Sequence, residues 1–248
     1  MAVAALGAVK PVAPRAILSL ALFGFAFGQV EASVVVYLRS LAAPIRISLG
    51  LPPGEPLPLF GLEHLGSLQN LVYIELAREA GTLVMLAAVA WAVSKNFRAW
   101  LGAFSIVFGV WDLAFYLWLK IMIGWPASLH TWDVLFLLPV PWAAPVLAPV
   151  IVALSLAIGG CFAFARPPKQ VPGSAWIFLL AGAVVLLTSF MWDWPYWFQG
   201  GAPRGFPWAL FAFGELLGFA GFMLGVRPIE VLTNQRDFGL RGTQQAGE

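Results

Sequence analysis

The chain has 248 residues, of which 60% are hydrophobic and only 10% are charged, and its mean hydropathy is +0.85. An average soluble domain is about 45–50% apolar and about 25% charged, so this composition excludes a soluble globular domain. The same excess of apolar residues excludes a disordered chain. A formal net charge of +2 without a basic block argues against nucleic-acid binding. The chain is therefore expected to be a polytopic membrane protein.

Six stretches are long and apolar enough to cross about 30 Å of hydrocarbon, which takes about 20 residues of helix. They cover residues 16–37, 71–93, 100–121, 142–165, 175–191 and 206–226. Helices are predicted because a lone strand cannot satisfy its backbone in lipid, and the alternating pattern of a barrel is absent. The predicted fold is all-α, a single six-helix transmembrane domain over 16–226. The apolar run continues past residue 30, which favours an uncleaved first span over a signal peptide.

The segment 131–141 is apolar but too short to span a membrane, and prolines crowd its end. Proline removes a backbone donor and breaks helix interiors. We predict a short helix that lies in the interface or re-enters the bundle, capped by Thr131 or Asp133. The alternative is one long kinked helix over 133–165.

The distribution of basic residues predicts the orientation, because short cytoplasmic loops carry an excess of Lys and Arg. Nine of the 14 basic residues lie on the side that holds both termini, and five lie on the other side. We therefore predict a cytoplasmic N-terminal segment, 1–15, and a cytoplasmic C-terminal tail, 227–248. The abundance of Ala and Gly and the excess of Arg over Lys suggest a bacterial source, and hence the bacterial cytoplasmic (inner) membrane.

Nine of the 12 acidic residues fall in the outer half of the predicted bundle or in its outer loops. The sharpest local feature is the set Glu75, Arg78 and Glu79, whose spacings of three and four place them on one helix face. A charge inside the membrane costs at least about 2.5–3.5 kcal/mol, so such residues normally face the bundle interior or a cavity. The set is either the wall of a site or an internal salt bridge that fixes helix packing.

Glu31, Asp112 and Glu215 are single acids in otherwise apolar spans. Together with Glu75 and Glu79 they set five acids against one intramembrane base. They cannot all be ionised in a dry interior, so some are protonated, hydrated or metal-bound. We predict catalytic or proton-handling roles for Glu75, Glu79 and Asp112. The alternative is that one or two of the five merely bond to backbone groups or to Trp N–H.

Three Trp-Asp pairs and nine of the 12 tryptophans lie on the predicted outer side. An interfacial belt explains part of this excess, and the remainder could line a pocket for a lipid-like or ring-bearing ligand or a cation. The candidate ligand-binding residues are Glu31, Arg78, Trp111, Trp132, Asp133, Trp192, Asp193 and Glu215.

The cysteine and histidine content and the missing nucleotide motif limit which cofactors the chain could bind. A single cysteine disfavours an iron–sulfur cluster, and both histidines lie in loops, which disfavours haem held by two histidines. No Gly-rich phosphate loop with Lys is present, which disfavours a nucleotide. A carboxylate-rich metal site stays open, with His130 as a weak candidate ligand, and both the metal and any cofactor are unknown.

Three functions fit these observations. The first is a membrane-embedded enzyme or ligand-binding protein with an outward-facing, acidic and Trp-rich pocket. The second is a non-catalytic structural subunit of a larger membrane complex, or a homo-oligomer. The third is a proton or cation transporter, which is weakened by the apolar inner half and by the lack of an inverted repeat. In every case the lipid bilayer is the expected partner.

Overall fold

The computed structural model describes residues 14–61, 64–66, 69–166 and 170–226. Within this part of the chain the order of elements is α1 (Pro14–Ser48), α2 (Asn70–Ala92), α3 (Phe97–Ile123), β1 (Trp132–Phe136), β2 (Trp142–Pro145), α4 (Leu147–Ala165), α5 (Gly173–Phe190), α6 (Trp194–Phe198) and α7 (Trp208–Val226). The protein is mostly helical. Residues 1–13 and the predicted tail 227–248 lie outside the described part.

Within the described residues, five helical stretches are long and apolar enough to cross a membrane: α1, α3, α4, the stretch Gly173–Trp197 and α7. The chain is thus a multi-pass membrane protein. The predicted count of six spans is not confirmed by this measure. Helix α2 has 23 residues, which is enough length, but it carries Glu75, Arg78 and Glu79 in its first half.

Helix α1 is longer than the predicted first span, 16–37. It contains 35 residues and ends at Ser48. At 1.5 Å per residue its length is about 52 Å, well beyond the roughly 30 Å of a hydrocarbon core. The additional turns carry Arg39 and Arg46, so they bring two basic side chains to the end of the bundle where β1 and β2 lie. We call this the hairpin end.

The prediction of a short helix over 131–141 is wrong, and so is the alternative of one long helix over 133–165. Strands β1 and β2 form an antiparallel hairpin in which Trp132 pairs with Pro145 and Phe136 pairs with Trp142. The register shifts between Val134 and Phe136, and α4 begins only at Leu147. Strands are favoured because every second residue of β1 (Trp132, Val134 and Phe136) is aromatic or β-branched. Prolines are tolerated in the edge strands of a two-stranded sheet, whereas they break the interior of a helix.

Aromatic rings of the hairpin join the helices around it. Phe136 lies 6.2 Å from Trp111 of α3 and 5.5 Å from Trp142, and Trp142 stacks on Phe190 of α5 at 6.4 Å. At the start of β1, Trp132 contacts the fully buried Trp197 edge-on at 6.0 Å. The hairpin is therefore part of the protein core rather than a surface loop.

Glycines allow three helix pairs to approach closely, as is common where lipid supplies no hydrophobic force between helices. A Cβ on Gly28 would lie 2.8 Å from the Trp111 carbonyl oxygen, which joins α1 to α3. A Cβ on Gly109 would lie 2.4 Å from the Ala153 carbonyl oxygen, which joins α3 to α4. A Cβ on Gly182 would lie 2.7 Å from the Gly218 nitrogen, which joins α5 to α7.

We expect Gly109→Ala to lower the free energy of unfolding by about 1–3 kcal/mol, because the added methyl meets rigid backbone of α4 and forces the helices apart. The matched control is Gly81→Ala in α2, where a Cβ meets nothing within 4 Å. There the loss of glycine's backbone freedom should stabilise the helix by roughly 0.5–1 kcal/mol. Thermal unfolding of both variants in the same detergent checks the difference. Equal melting temperatures would contradict the close α3–α4 contact.

Candidate functional site

Four polar side chains on one face of α2 meet a carboxylate from α1. The Arg78 guanidinium holds Glu75 with two hydrogen bonds, Nε to Oε2 at 2.8 Å and Nη2 to Oε1 at 2.5 Å. Its Nη1 also donates to the Glu31 carboxylate, and Thr82 Oγ1 donates to the other Glu31 oxygen at 2.7 Å. Glu79 is the fourth α2 residue on this face. We call Glu31, Glu75, Arg78, Glu79 and Thr82 the ionic cluster.

The hairpin reaches the ionic cluster through its backbone. The Leu137 N–H donates to both Glu79 carboxylate oxygens, at 2.9 and 3.1 Å. Glu79 is only 6% exposed, so this hydrogen bond replaces water at a buried carboxylate. Three carboxylates and one guanidinium give the cluster a formal charge of −2 when all four are ionised. The arrangement therefore suits a further proton, a cationic group or a hydrogen-bond donor.

An apolar cleft of about 170 Å³ opens beside the cluster. It lies between α1, the first turns of α2 and the turn of the hairpin. Its lining residues are Leu38, Leu41, Ala42, Ile45, Leu65, Leu71, Val72, Glu75 and Leu137. Glu75 is the one charged residue of this lining, so the apolar cleft reaches the edge of the ionic cluster.

A second polar group lies at the base of β1, and we call it the hairpin-base cluster: Arg39, Tyr116, Trp125 and Asp133. Tyr116 Oη donates to Asp133 Oδ2 at 3.1 Å, and Arg39 Nη2 lies 3.5 Å from Asp133 Oδ1. The same guanidinium sits over the Trp125 ring, 3.9 Å from its centroid. Burial raises the pKa of the Asp133 carboxyl to about 6, although Arg39 and the Tyr116 hydroxyl oppose this shift.

Arg46 fixes the loop that follows α1. Its guanidinium donates to the carbonyl oxygens of Pro52, Leu57 and Pro58, at distances of 2.7–3.1 Å. The side chain is buried, with 4% of the residue exposed. Arg46 directly follows Ile45, which lines the cleft. The hydrogen bonds of Arg46 therefore hold this loop next to the hairpin end of the cleft.

The remaining predicted acids lie apart from the ionic cluster. Asp112 is one helical turn before Tyr116, and Asp133 is its electrostatic neighbour, so it belongs with the hairpin-base cluster. No described residue hydrogen-bonds to the Asp112 carboxylate. Glu215 accepts a hydrogen bond from Ser155 Oγ of α4 at 3.1 Å. Asp193 precedes α6 and its side chain makes no capping hydrogen bond.

The predicted tryptophans separate into two groups. Trp111 and Trp132 pack against other aromatic rings of the core, and the buried Trp111 Nε1 has no hydrogen-bond partner among the described residues. Trp192, in contrast, is 57% exposed. His130 is exposed in the loop before β1. In the described ranges, no group of three or more His, Cys, Asp or Glu side chains is placed to hold a metal ion.

Arg39, Thr82 and Leu137 were not predicted from the sequence as parts of a site, whereas Tyr116 was expected among the aromatic residues that could line an outer pocket. Tyr116 shares a helix face with Asp112, and that spacing of four was the available signal. Arg39, Thr82 and Leu137 carried no comparable pattern, because their partners are far away in the chain or, for Leu137, because only its backbone takes part.

Comparison of the chain with protein-family models, with curated proteins and with solved structures finds no match. The function of the chain is therefore inferred from the geometry of the two clusters and the cleft.

Proposed function

We propose that this protein binds an amphiphile with a positively charged head group, in a site that opens at the hairpin end of the bundle. The observation that carries the proposal is the position of Glu75, which is at once the charged edge of the apolar cleft and a member of the ionic cluster. An apolar chain in the cleft would thus place its head group beside a surplus of carboxylates. The excess of basic residues at the opposite end supports an outward-facing site, with α2 as the sixth span.

The cleft provides the apolar half of the recognition. Leu38, Leu41, Ala42 and Ile45 recur at spacings of three and four, so they form one stripe along α1. The volume of about 170 Å³ corresponds to roughly five or six water molecules at 30 Å³ each, which suits a segment of a single acyl or alkyl chain. Pockets of this kind gain affinity from apolar burial and specificity from a few polar groups.

The ionic cluster provides the polar half. Arg78 compensates one of the three carboxylates in full, so an added cation lowers the remaining charge. Hydrogen bonds to charged groups contribute about 1.5–3 kcal/mol, which favours an ammonium over a carboxylate head group. Glu75 and Glu79 are also the groups that could accept a proton from a bound ligand, which is the form an enzymatic role would take.

Photolabelling of the full chain in phosphatidylcholine vesicles tests this proposal. The probes are two photoactivatable 16-carbon chains, one ending in an ammonium group and one in a carboxylate. We expect the ammonium probe to label residues 38–45 and 71–75 roughly tenfold more than the carboxylate probe, the factor that about 1.4 kcal/mol gives. In the double variant Glu75→Gln, Glu79→Gln the Arg78–Glu31 pair remains and the cluster is neutral, so this preference should disappear.

A matched pair of tryptophan substitutions controls for the cleft. Ala42→Trp fills the cleft, whereas Ala77→Trp adds the same volume on an exposed position of α2. Labelling should be lost in the first variant and retained in the second. Equal labelling by both probes, or full labelling of Ala42→Trp, would contradict the proposed site.

A further inference from the structure

The hydrogen bond between Ser155 and Glu215 joins α4 to α7, two helices that contribute no residue to the proposed ligand site. Ser155 Oγ donates to Glu215 Oε2 at 3.1 Å. Both helices have 19 residues, and the two side chains stand eight and seven residues from the hairpin ends of their helices. They therefore lie at the same depth, about 10–12 Å from that end and close to the middle of the bundle.

This pair faces outward rather than into the protein. Ser155 is exposed and Glu215 is only partly buried. The neighbouring side chains are apolar and open: Ile158 is 56% exposed, Leu216 is 66% exposed and Phe219 is 62% exposed. A carboxylate on such a surface would face lipid tails with a single hydroxyl as its partner. Ionisable groups in this situation normally pair with another polar group inside the membrane.

The depth and the charge restrict what can cover this surface. A lipid head group stays at the interface and does not reach the middle of the bilayer. A second copy docked on the same face would oppose Glu215 with another Glu215, which like charges disfavour. In the described part of the chain, Arg78 is the basic residue nearest mid-helix, and it is already bound to Glu31 and Glu75.

We propose that the α4–α7 face docks a transmembrane helix of another protein, one that carries a lysine or arginine at mid-depth to pair with Glu215. The exposed apolar residues around Ser155 and Glu215 provide the packing surface. The Glu215 carboxylate fixes the position of the partner helix along the membrane normal, because it must meet the partner's basic residue. This interaction is independent of the proposed amphiphile site, since it uses different helices.

The test uses fluorescence energy transfer in vesicles between the labelled full chain and synthetic single-span helices. One peptide is a 21-residue Leu/Ala helix with a central lysine, and the other has leucine at that position. Interhelical polar contacts in membranes contribute about 0.6–1.7 kcal/mol, so the lysine peptide should associate roughly 3- to 20-fold more tightly. Glu215→Leu should remove this preference. Ser155→Ala should keep it, because the carboxylate is retained.

A melting temperature of Glu215→Leu close to that of the wild type establishes that the variant is folded. Equal association of the two peptides with the wild type would overturn the proposal, and so would a lysine preference that survives in Glu215→Leu. Energy transfer between copies of the chain that Glu215→Leu abolishes would assign the face to self-association and would also overturn it. A negative result in the photolabelling experiment would not affect this test, because the two experiments probe different helices.

Discussion

Replacing Arg78 by methionine is expected to lower the free energy of unfolding by about 3–5 kcal/mol, because it breaks a buried ion-pair network. The reason is that Arg78 is the shared partner of Glu31 and Glu75, whose side chains are 6% and 14% exposed. Methionine fills a similar volume but leaves both carboxylates without a cation, next to a third at Glu79. Thermal or denaturant unfolding of the full chain in detergent measures the loss.

Two further variants separate charge from packing. Adding Glu31→Gln and Glu75→Gln to Arg78→Met removes the two carboxylates that Arg78 compensates and should recover most of the lost stability. Arg204→Met is the matched control, because that guanidinium is exposed and sits 3.4 Å over the Tyr196 ring. There the loss should be about 1 kcal/mol or less. A similar small loss in Arg78→Met would mean that water, rather than Arg78, compensates the cluster.

The helical spacing of Glu75, Arg78 and Glu79 was sufficient to predict three of the five residues of the ionic cluster. Spacings of three and four place side chains together on any helix, whatever surrounds it. The ion pair with Glu31 was not predictable in the same way, because 47 residues separate it from Arg78 and the contact depends on how α1 packs. The link from Glu79 to the Leu137 N–H was beyond sequence reasoning, since every residue except proline carries that donor.

The hairpin shows where the sequence was misleading. The short length of the apolar segment and the prolines after residue 138 favoured a segment that neither spans the membrane nor continues as one helix into α4. A strand was not predicted because isolated hairpins are marginal and unsuited to a membrane. In the structure the hairpin is stable because it is buried among helices. Phe136 packs on Trp111, Trp142 packs on Phe190, and Glu79 accepts a hydrogen bond from the Leu137 N–H of the turn. Such support is tertiary and leaves no local pattern.

The stability of the wild type relative to Asp133→Asn is expected to fall as the pH rises from 4 to 7, by up to about 3 kcal/mol. Burial raises the pKa of Asp133 from its ordinary value of 3.8 to about 6, so the folded protein binds a proton that the unfolded chain has released between these values. Stability falls with pH wherever the folded state holds more protons, and a shift of about two units corresponds to about 3 kcal/mol. Asparagine cannot ionise, so all titrations common to both proteins cancel in the difference.

The role of Arg39 determines the pH range of this effect. Its guanidinium lies 3.5 Å from Asp133 and favours the ionised form, against the larger effect of burial. Arg39→Met should therefore raise the pKa of Asp133 further and extend the loss of stability to higher pH. Urea unfolding of the three proteins at half-unit steps of pH measures these profiles. If the wild type instead gains stability over Asp133→Asn as the pH rises, the ion pair with Arg39 outweighs burial, and the hairpin base is held together by charge.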